Sequence, residues 1–400
     1  RGCMAWRRLL PVGLGAGGAI CASIFGSRRQ RDSPDQGSVE SANRLLRQFR
    51  TPGVKLGVDI GGTTAKMVLS RTHDESGECE CEDCEWASKF KGAGTRVGNL
   101  SFPVRGGRLD GMALHFIKGD TAQLEAAVKA CKSEDENNAS GPFVIKGRRA
   151  NVSGGGAHKF KKIFRDALNV DFVPIGEFES LVMGLKFLHT QGPSDEVFTV
   201  DDKLDEVPAK WPTPNAPLLL VSIGSGVSVL EVDSKLNKFK RVAGTGCGGS
   251  TFLGLCKLID PDVNLAEALR LAAEGQPNNV DMTIADIYGD ECHTLGLPGH
   301  LTACNFGKLA TQPYGSGPAV ADLMAASLQL VAQQSALQAA NYCAAAKLDG
   351  QRVIFIGGFC EDANARALLA KTMRDLGGKG LFLRHSSFLG ALGSLAASVD

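Results

Sequence analysis

From residue 54 onward, apolar and polar positions alternate in short runs, and the clearest of these runs come in pairs joined by glycine. Val54 to Ile60 reads as a strand, Gly61-Gly62-Thr63 as a turn, and Ala65 to Leu69 as a second strand of period two. The pattern returns 163 residues later, counting from Gly61 to Gly224. There Leu218 to Ile223 is a strand, Gly224-Ser225-Gly226 a turn, and Val227 to Val232 the second strand. Neither turn opens a helix, so the Rossmann and P-loop spacings are excluded. A glycine-tipped hairpin can still aim backbone N–H groups at phosphate. Two hairpins in equivalent places predict two similar α/β domains facing each other across a cleft, with a nucleotide lying between the turns.

Other elements follow from the same patterning. Strands are expected over Ala113–Ile117 and Phe143–Ile145, with a helix over Thr121–Cys131 between them. The glycine-rich stretch Val152–Ala157 leads to a helix beginning near Phe160, and a further helix spans Leu181–His189. Glu177 and Glu179 precede that last helix, where acids complement the helix dipole and where one of them could serve as a general base. Arg241 to Phe252, rich in glycine, runs into a helix over Phe252–Ile259, so Gly248 and Gly249 are expected to bring a helix N-terminus near an anion. Val353–Ile356 is a short buried strand ending at Gly357-Gly358, a flat platform for a planar base, with a helix from Asp362. Ala319 to Ala346 is a long helix proposed for self-association.

The expected boundaries are a targeting-like or disordered segment over 1–50, a first domain over 51–190, an irregular insert over 191–216 and a second domain over 217–400. In the first segment, arginines 7 and 8 and then 28, 29 and 31 flank an uncharged run rich in glycine, with no acid before Asp32. That pattern fits a mitochondrial presequence or a signal anchor, although its glycines make a poor helix. A cytoplasmic location is otherwise expected, with a mitochondrial one as the alternative.

Composition sharpens this picture in three places. There are 44 Lys and Arg against 43 Asp and Glu, so no global field recruits nucleic acid or an acidic membrane, and any anion must be captured locally. Glycine accounts for 49 of 400 residues, well above the usual ~7%. The 12 cysteines are too dispersed for a disulfide framework and point to a reducing compartment. Cys247, Cys256, Cys304, Cys343 and Cys360 fall in apolar or glycine-rich runs, as small hydrophobes do. Cys79, Cys81 and Cys84, with His73, could ligate zinc, but an acidic solvated loop is the favoured reading.

These residues carry a resemblance. Asp59–Thr63 with Lys66, Ser153–Phe160, Glu177 with Leu181–Leu185, Ile223–Ser228, Arg241–Thr245 with Thr251–Leu255, Asp286–Gly289, Gly296–Gly299 and Phe306-Gly307 resemble, in order, the eukaryotic-type (type II) pantothenate kinases of the acetate kinase/hexokinase/actin superfamily. The resemblance implies two ribonuclease-H-like (actin-like ATPase) domains flanking an ATP cleft. It implies ATP-dependent phosphorylation of pantothenate, the first step of coenzyme A synthesis, in a homodimer inhibited by acyl-CoA. By position, Glu177 would be the base and Arg241 would stabilise the transferring phosphoryl and contact the substrate. Ser225 and Ser228 would bond pantothenate, and the backbone at Thr302 and Ala303 would meet its carboxylate. Gly61, Gly62, Thr63, Lys66, Gly224, Gly226, Gly248, Gly249, Gly357 and Gly358 would cradle ATP, and Asp59 would orient magnesium. The chain departs from the family pattern at Ser250, His300, Gly358 and Arg384, and in its acidic Cys-rich insert. A silent acyl-CoA sensor on the same fold and an N-acetylhexosamine kinase are the competing readings; the survival of Glu177 and Arg241 counts against the first.

Overall fold

The structure, a computed structural model, describes residues 55–62, 64–72, 95–96, 98–121, 148–168, 170–294, 296–311 and 317–397. The expectations for 1–50, Thr63, Cys79, Cys81 and Cys84, the helix over 121–131 and the strand over 143–145 therefore lie outside the described residues.

Seven strands form a first sheet: β1 (Lys55–Ile60), β2 (Thr64–Thr72), β3 (Thr95–Arg96), β4 (Phe102–Pro103), β5 (Met112–Asp120), β6 (Arg148–Ser153) and β7 (Val170–Pro174). A second takes β8 (Val197–Val200), β9 (Glu206–Pro208), β10 (Leu218–Ile223), β11 (Val227–Val232) and β12 (Phe239–Thr245). The ribbon β13 (Met282–Thr283) and β14 (Thr302–Cys304) stands apart, and β15 (Val353–Ile356) and β16 (Gly380–Leu383) complete the second sheet. The helices are α1 (Ala157–Leu168), α2 (Glu177–Gln191), α3 (Gly249–Ile259), α4 (Leu265–Glu274), α5 (Ile284–Tyr288), α6 (Val320–Ala346), α7 (Ala363–Asp375) and α8 (Leu389–Ala397).

The two sheets share one plan. The core of the first runs β5-β2-β1-β6-β7 and that of the second β12-β11-β10-β15-β16. In each, the first three strands in sequence pair antiparallel and the last two add in parallel. This is the ribonuclease-H-like arrangement, present twice. The parallel steps need crossovers, which α1 supplies between β6 and β7 and α7 between β15 and β16.

Alternation along the second sheet sorts its side chains into two cores. Leu219, Val221, Ile223, Val229, Val353 and Phe355 pack outward among residues of α3, α4, α6 and α7. Leu218, Leu220, Leu230, Val232, Ile354 and Ile356 face the first lobe and join Val68, Leu114 and Phe116 there. The helix that follows the fifth strand of each sheet lies in this second core: α2 after β7, α8 after β16.

Helix α8 thus belongs to the first lobe by packing, against the expected 217–400 boundary. The reason is close approach at glycine. A Cβ at Gly393 would stand 1.8 Å from the Ser180 carbonyl oxygen, one at Gly184 2.1 Å from that of Leu389, and one at Gly57 2.1 Å from that of Ala391. Backbone meets backbone at these points, so α2, α8 and β1 form one block.

Two further expectations change. The 191–216 insert is not irregular: β8 and β9 lengthen the second sheet, β8 pairing antiparallel with β16. Glu196 in this segment is buried, and its Oε2 bonds Nδ1 of buried His385 at 2.6 Å, while Nε2 of that ring meets the Leu100 carbonyl at 2.8 Å. Helix α6, expected at a self-association surface, instead buries Met324, Leu328, Val331, Ala332, Ala336, Ala339 and Cys343 in its own lobe. Among the described cysteines, 256, 292, 343 and 360 are buried as small hydrophobes, Cys247 is partly buried and Cys304 is exposed. No helix among the described residues is long and apolar enough to cross a membrane.

Two glycine substitutions separate packing from propensity. Gly393→Ala should cost about 3 kcal/mol, because its methyl has no room against α2. Gly254→Ala, in α3 where a Cβ meets nothing within 4 Å, should gain about 1 kcal/mol from helix propensity. Denaturant midpoints measure both, and equal shifts would refute the account of the α2–α8 contact.

Candidate active site

Strand β1 delivers Asp59 to the end of the first sheet, beside the turn that leads into β2. The turn is closed by the Gly61 amide donating to the Thr64 carbonyl at 2.9 Å. Asp59 is fixed in place: Ser153 Oγ donates to its Oδ1 at 3.0 Å. A Cβ at Gly390 would stand 2.9 Å from its Cγ, and one at Gly154 2.8 Å from its Oδ1. Lys66 lies directly opposite Asp59 in the β1–β2 register. Burial pushes its ammonium pKa below the ordinary value, and the charges of Asp59 and Glu361 work against that shift.

The second turn mirrors the first, with the Gly224 amide donating to the Gly226 carbonyl at 2.9 Å. Helix α3 braces it from behind. The amides of Gly249 and Ser250 donate to the carbonyls of Gly224 and Ser225 at 2.8 and 3.2 Å, so these helix-start donors are committed to the turn. A Cβ at Gly248 would stand 2.6 Å from Gly226 Cα. Gly248 and Gly249, expected near an anion, both hold this turn, and of the two Gly249 also lines the cavity. At Gly62, Gly224 and Gly358 a Cβ would meet no protein atom within 4 Å, which leaves the space before all three open. Gly357 has φ +104° and stands against the Ile223 carbonyl, a conformation that favours glycine.

Between the turns lies one cavity of about 720 Å³. It is lined by Asp59, Gly61, Gly62 and Lys66 from the first lobe and by Gly224, Ser225, Gly226, Ser228, Arg241, Gly249, Gly357 and Gly358 from the second. Glu177, the first residue of α2, lines it as well. Partial burial, and next the negative charge of Asp59, raise the Glu177 carboxyl pKa above the ordinary glutamate value. Glu179 does not line this cavity. Gly248 stands behind it, and Thr302 and Ala303 sit apart on β14, where Gln329 and Gln333 of α6 donate to Thr302 Oγ1 at 3.3 and 2.8 Å.

Arg241 reaches the cavity because β12 is bulged. The register with β11 shifts between Val229 and Leu230, so Arg241 pairs with Leu230, on the interlobe face. Its Nε donates to Ser228 Oγ at 3.3 Å. A Cβ at Gly244 would stand 2.3 Å from a guanidinium nitrogen, so glycine at that position gives the arginine its place. Gly244 lies in the Arg241–Thr245 stretch singled out from the sequence; Lys118, Glu361, Ser386 and Gly390, which also line the cavity, were not marked there. No local motif announces them; the cross-strand register and the return of α8 bring them in.

The departures from the family pattern are accommodated. Ser250 bonds the second turn through its amide, which any residue offers. His300 is exposed beside Asp375, and Arg384 pairs with Asp195 and Glu206.

A cavity with glycine turns from two like lobes, an acid at a helix start, an arginine and a lysine can hold a polyphosphate and move a proton beside it. Comparison with known proteins agrees with the motifs. The chain is 32% identical over 393 residues to pantothenate kinase 2 of Oryza sativa subsp. japonica, covering 92% of this chain and 42% of that protein. It is 31% identical over 356 residues to pantothenate kinase 1 of Arabidopsis thaliana, covering 86% of each. To the 4'-phosphopantetheine phosphatase of Mus musculus it is 33% identical over 293 residues, covering 72% of this chain and 34% of that one. The chain therefore spans less than half the length of the rice and mouse relatives. The Fumble family matches residues 55–397, nearly everything from the first strand to the last helix, and the chain belongs to that family.

Proposed function

We propose that this chain transfers the γ-phosphoryl group of ATP to the primary hydroxyl of pantothenate. The observation that carries the reading is that one cavity gathers both glycine turns, Lys66, Glu177 and Arg241. Relatives named pantothenate kinase support the acceptor.

Each residue then has a task. The turn amides and Lys66 hold the phosphates. Glu177, with its raised pKa, accepts the hydroxyl proton as the acceptor oxygen attacks. Arg241, steadied by Ser228, balances charge on the transferring phosphoryl, whose loose transition state asks for positioning and electrostatics above all. Ser225 and Ser228 stand where they can bond the acceptor.

Magnesium fits the same place. Among the described residues no three of His, Cys, Asp and Glu form a metal cage. Magnesium commonly takes one or two carboxylates together with substrate phosphates, and Asp59 is close enough to Glu177 to raise its pKa. Asp59 would hold the ion, which supplies neutralisation of phosphate charge when bound.

Acyl-CoA inhibition and homodimerisation complete the reading. For the dimer, the exposed Ile287, Tyr288 and Leu309, drawn together by the Asp286–Lys308 ion pair, offer a better surface than α6. Thr302 and Ala303 would contact the substrate carboxylate only after a movement of β14 or from a second copy of the chain.

ADP release by the 400-residue chain with magnesium and ATP should depend on pantothenate and fall as acetyl-CoA is added. Saturable acetyl-CoA binding without turnover would replace the kinase by a silent sensor. Glu177→Gln should lower kcat by roughly two to four orders of magnitude with ATP affinity retained. Unchanged turnover would reject it as the base. Arg241→Ala should reduce kcat more than ATP affinity, and equal losses would make this arginine structural. Because Glu177 must be ionised to act, kcat should fall with decreasing pH, through an apparent pKa above the usual ~4.3. An acid limb at or below the ordinary value would contradict the assignment.

A further inference from the structure

The cavity holds one pair of opposite charges that this chemistry does not use. Lys118 on β5 stands directly opposite Lys66 in the antiparallel β2–β5 register, so both side chains leave the same face of the sheet. Both line the cavity. Like charges directly opposite one another are destabilising unless an anion lies between them. Glu361, from the second lobe, supplies that anion: Lys118 Nζ donates to Glu361 Oε2, and the Glu361 charge also acts on Lys66.

The two partners differ in how they are held. Glu361 rides on a single turn of 3-10 helix, Gly358–Glu361. Arg366 fixes that turn, with Nη1 donating to the carbonyls of Cys360 and Glu361 at 3.0 and 2.8 Å and Nη2 to Glu206 Oε1 at 2.6 Å. Lys118 has only its flexible four-carbon stem, and its side chain is 35% exposed. An incoming polyphosphate would meet two lysines already aimed into the cleft and one carboxylate occupying the more accessible of them.

We propose that Lys118 is a second phosphate-binding residue of the cleft, held by Glu361 across the lobes until the phosphates of ATP take the place of that carboxylate. This rests on the reading that the cleft binds ATP. Glu361 is then a competitor for phosphate, and neutralising the two partners has opposite effects. A pair that merely shaped the cleft would weaken binding whichever partner was removed.

Isothermal titration of the full chain with ATP and, separately, with adenosine tests this. Lys118→Met should weaken ATP about tenfold, the usual weight of one charge-assisted contact. Adenosine affinity should stay as in the wild type. Glu361→Gln should tighten ATP severalfold and lose that gain in the Lys118→Met background. Wild-type ATP affinity in Lys118→Met, or weakening of ATP by Glu361→Gln, would overturn the assignment while leaving the ATP reading in place. A wild-type chain that binds neither ATP nor adenosine would overturn both. Melting temperatures close to wild type keep either result from being ascribed to misfolding.

Discussion

Two helices that touch through their backbones fix everything else. α2 and α8 leave equivalent strands of the two sheets and meet where Gly184 and Gly393 leave no room for a methyl group, with Gly57 of β1 completing the contact. Backbone meets backbone there with no room for a side chain, so the contact tolerates little sliding. The same helices carry the chemistry. Glu177 is the first residue of α2, and Gly390, the second residue of α8, lies against the carboxylate of Asp59. The distance between the lobes and the position of the acids are therefore set by one packing decision.

The charges inside the cleft follow from that geometry. Asp59, Glu177, Glu361 and Asp362 line a shared volume with Lys66, Lys118 and Arg241, so the two signs nearly balance. Such a balance suits phosphoryl transfer, in which negative charge enters with the nucleotide and shifts among oxygens without a covalent partner on the protein. Desolvation in the cleft lowers the pKa of Lys66 and raises that of Glu177, both toward the neutral form.

Much of this was legible in the sequence, because hairpin patterning is local. The strand–glycine–strand repeat announced both lobes, and Asp59 and Lys66 could be singled out from their positions beside the first turn, whereas the choice of Glu177 over Glu179 and the role of Arg241 came from the family resemblance. What escaped depends on contacts distant along the chain. Lys118 becomes meaningful only once β5 is registered on β2. The return of α8 to the first lobe is written in glycines at 184, 390 and 393 that look like ordinary helix breakers until the partner helix is known. The 191–216 segment contains prolines and acids that suggest a loop, yet Pro208 is tolerated because β9 is the edge strand of the second sheet and one of its sides faces away from the ladder, while β8, paired on both sides, carries no proline. Gly248 and Gly249 were marked for a helix start near an anion; their close approach serves the neighbouring turn, and Gly249 also lines the cavity.

The central claim is that this cleft passes phosphate from ATP to the primary hydroxyl of pantothenate. The most direct measurement offers the chain magnesium, ATP and an equimolar mixture of pantothenate and N-acetylglucosamine, and identifies the phosphorylated product by mass spectrometry. Phosphopantothenate, formed by the wild type and lost in Glu177→Gln, is the predicted result. Phosphate on the sugar, or no phosphorylated acceptor while ATP is bound, would contradict it.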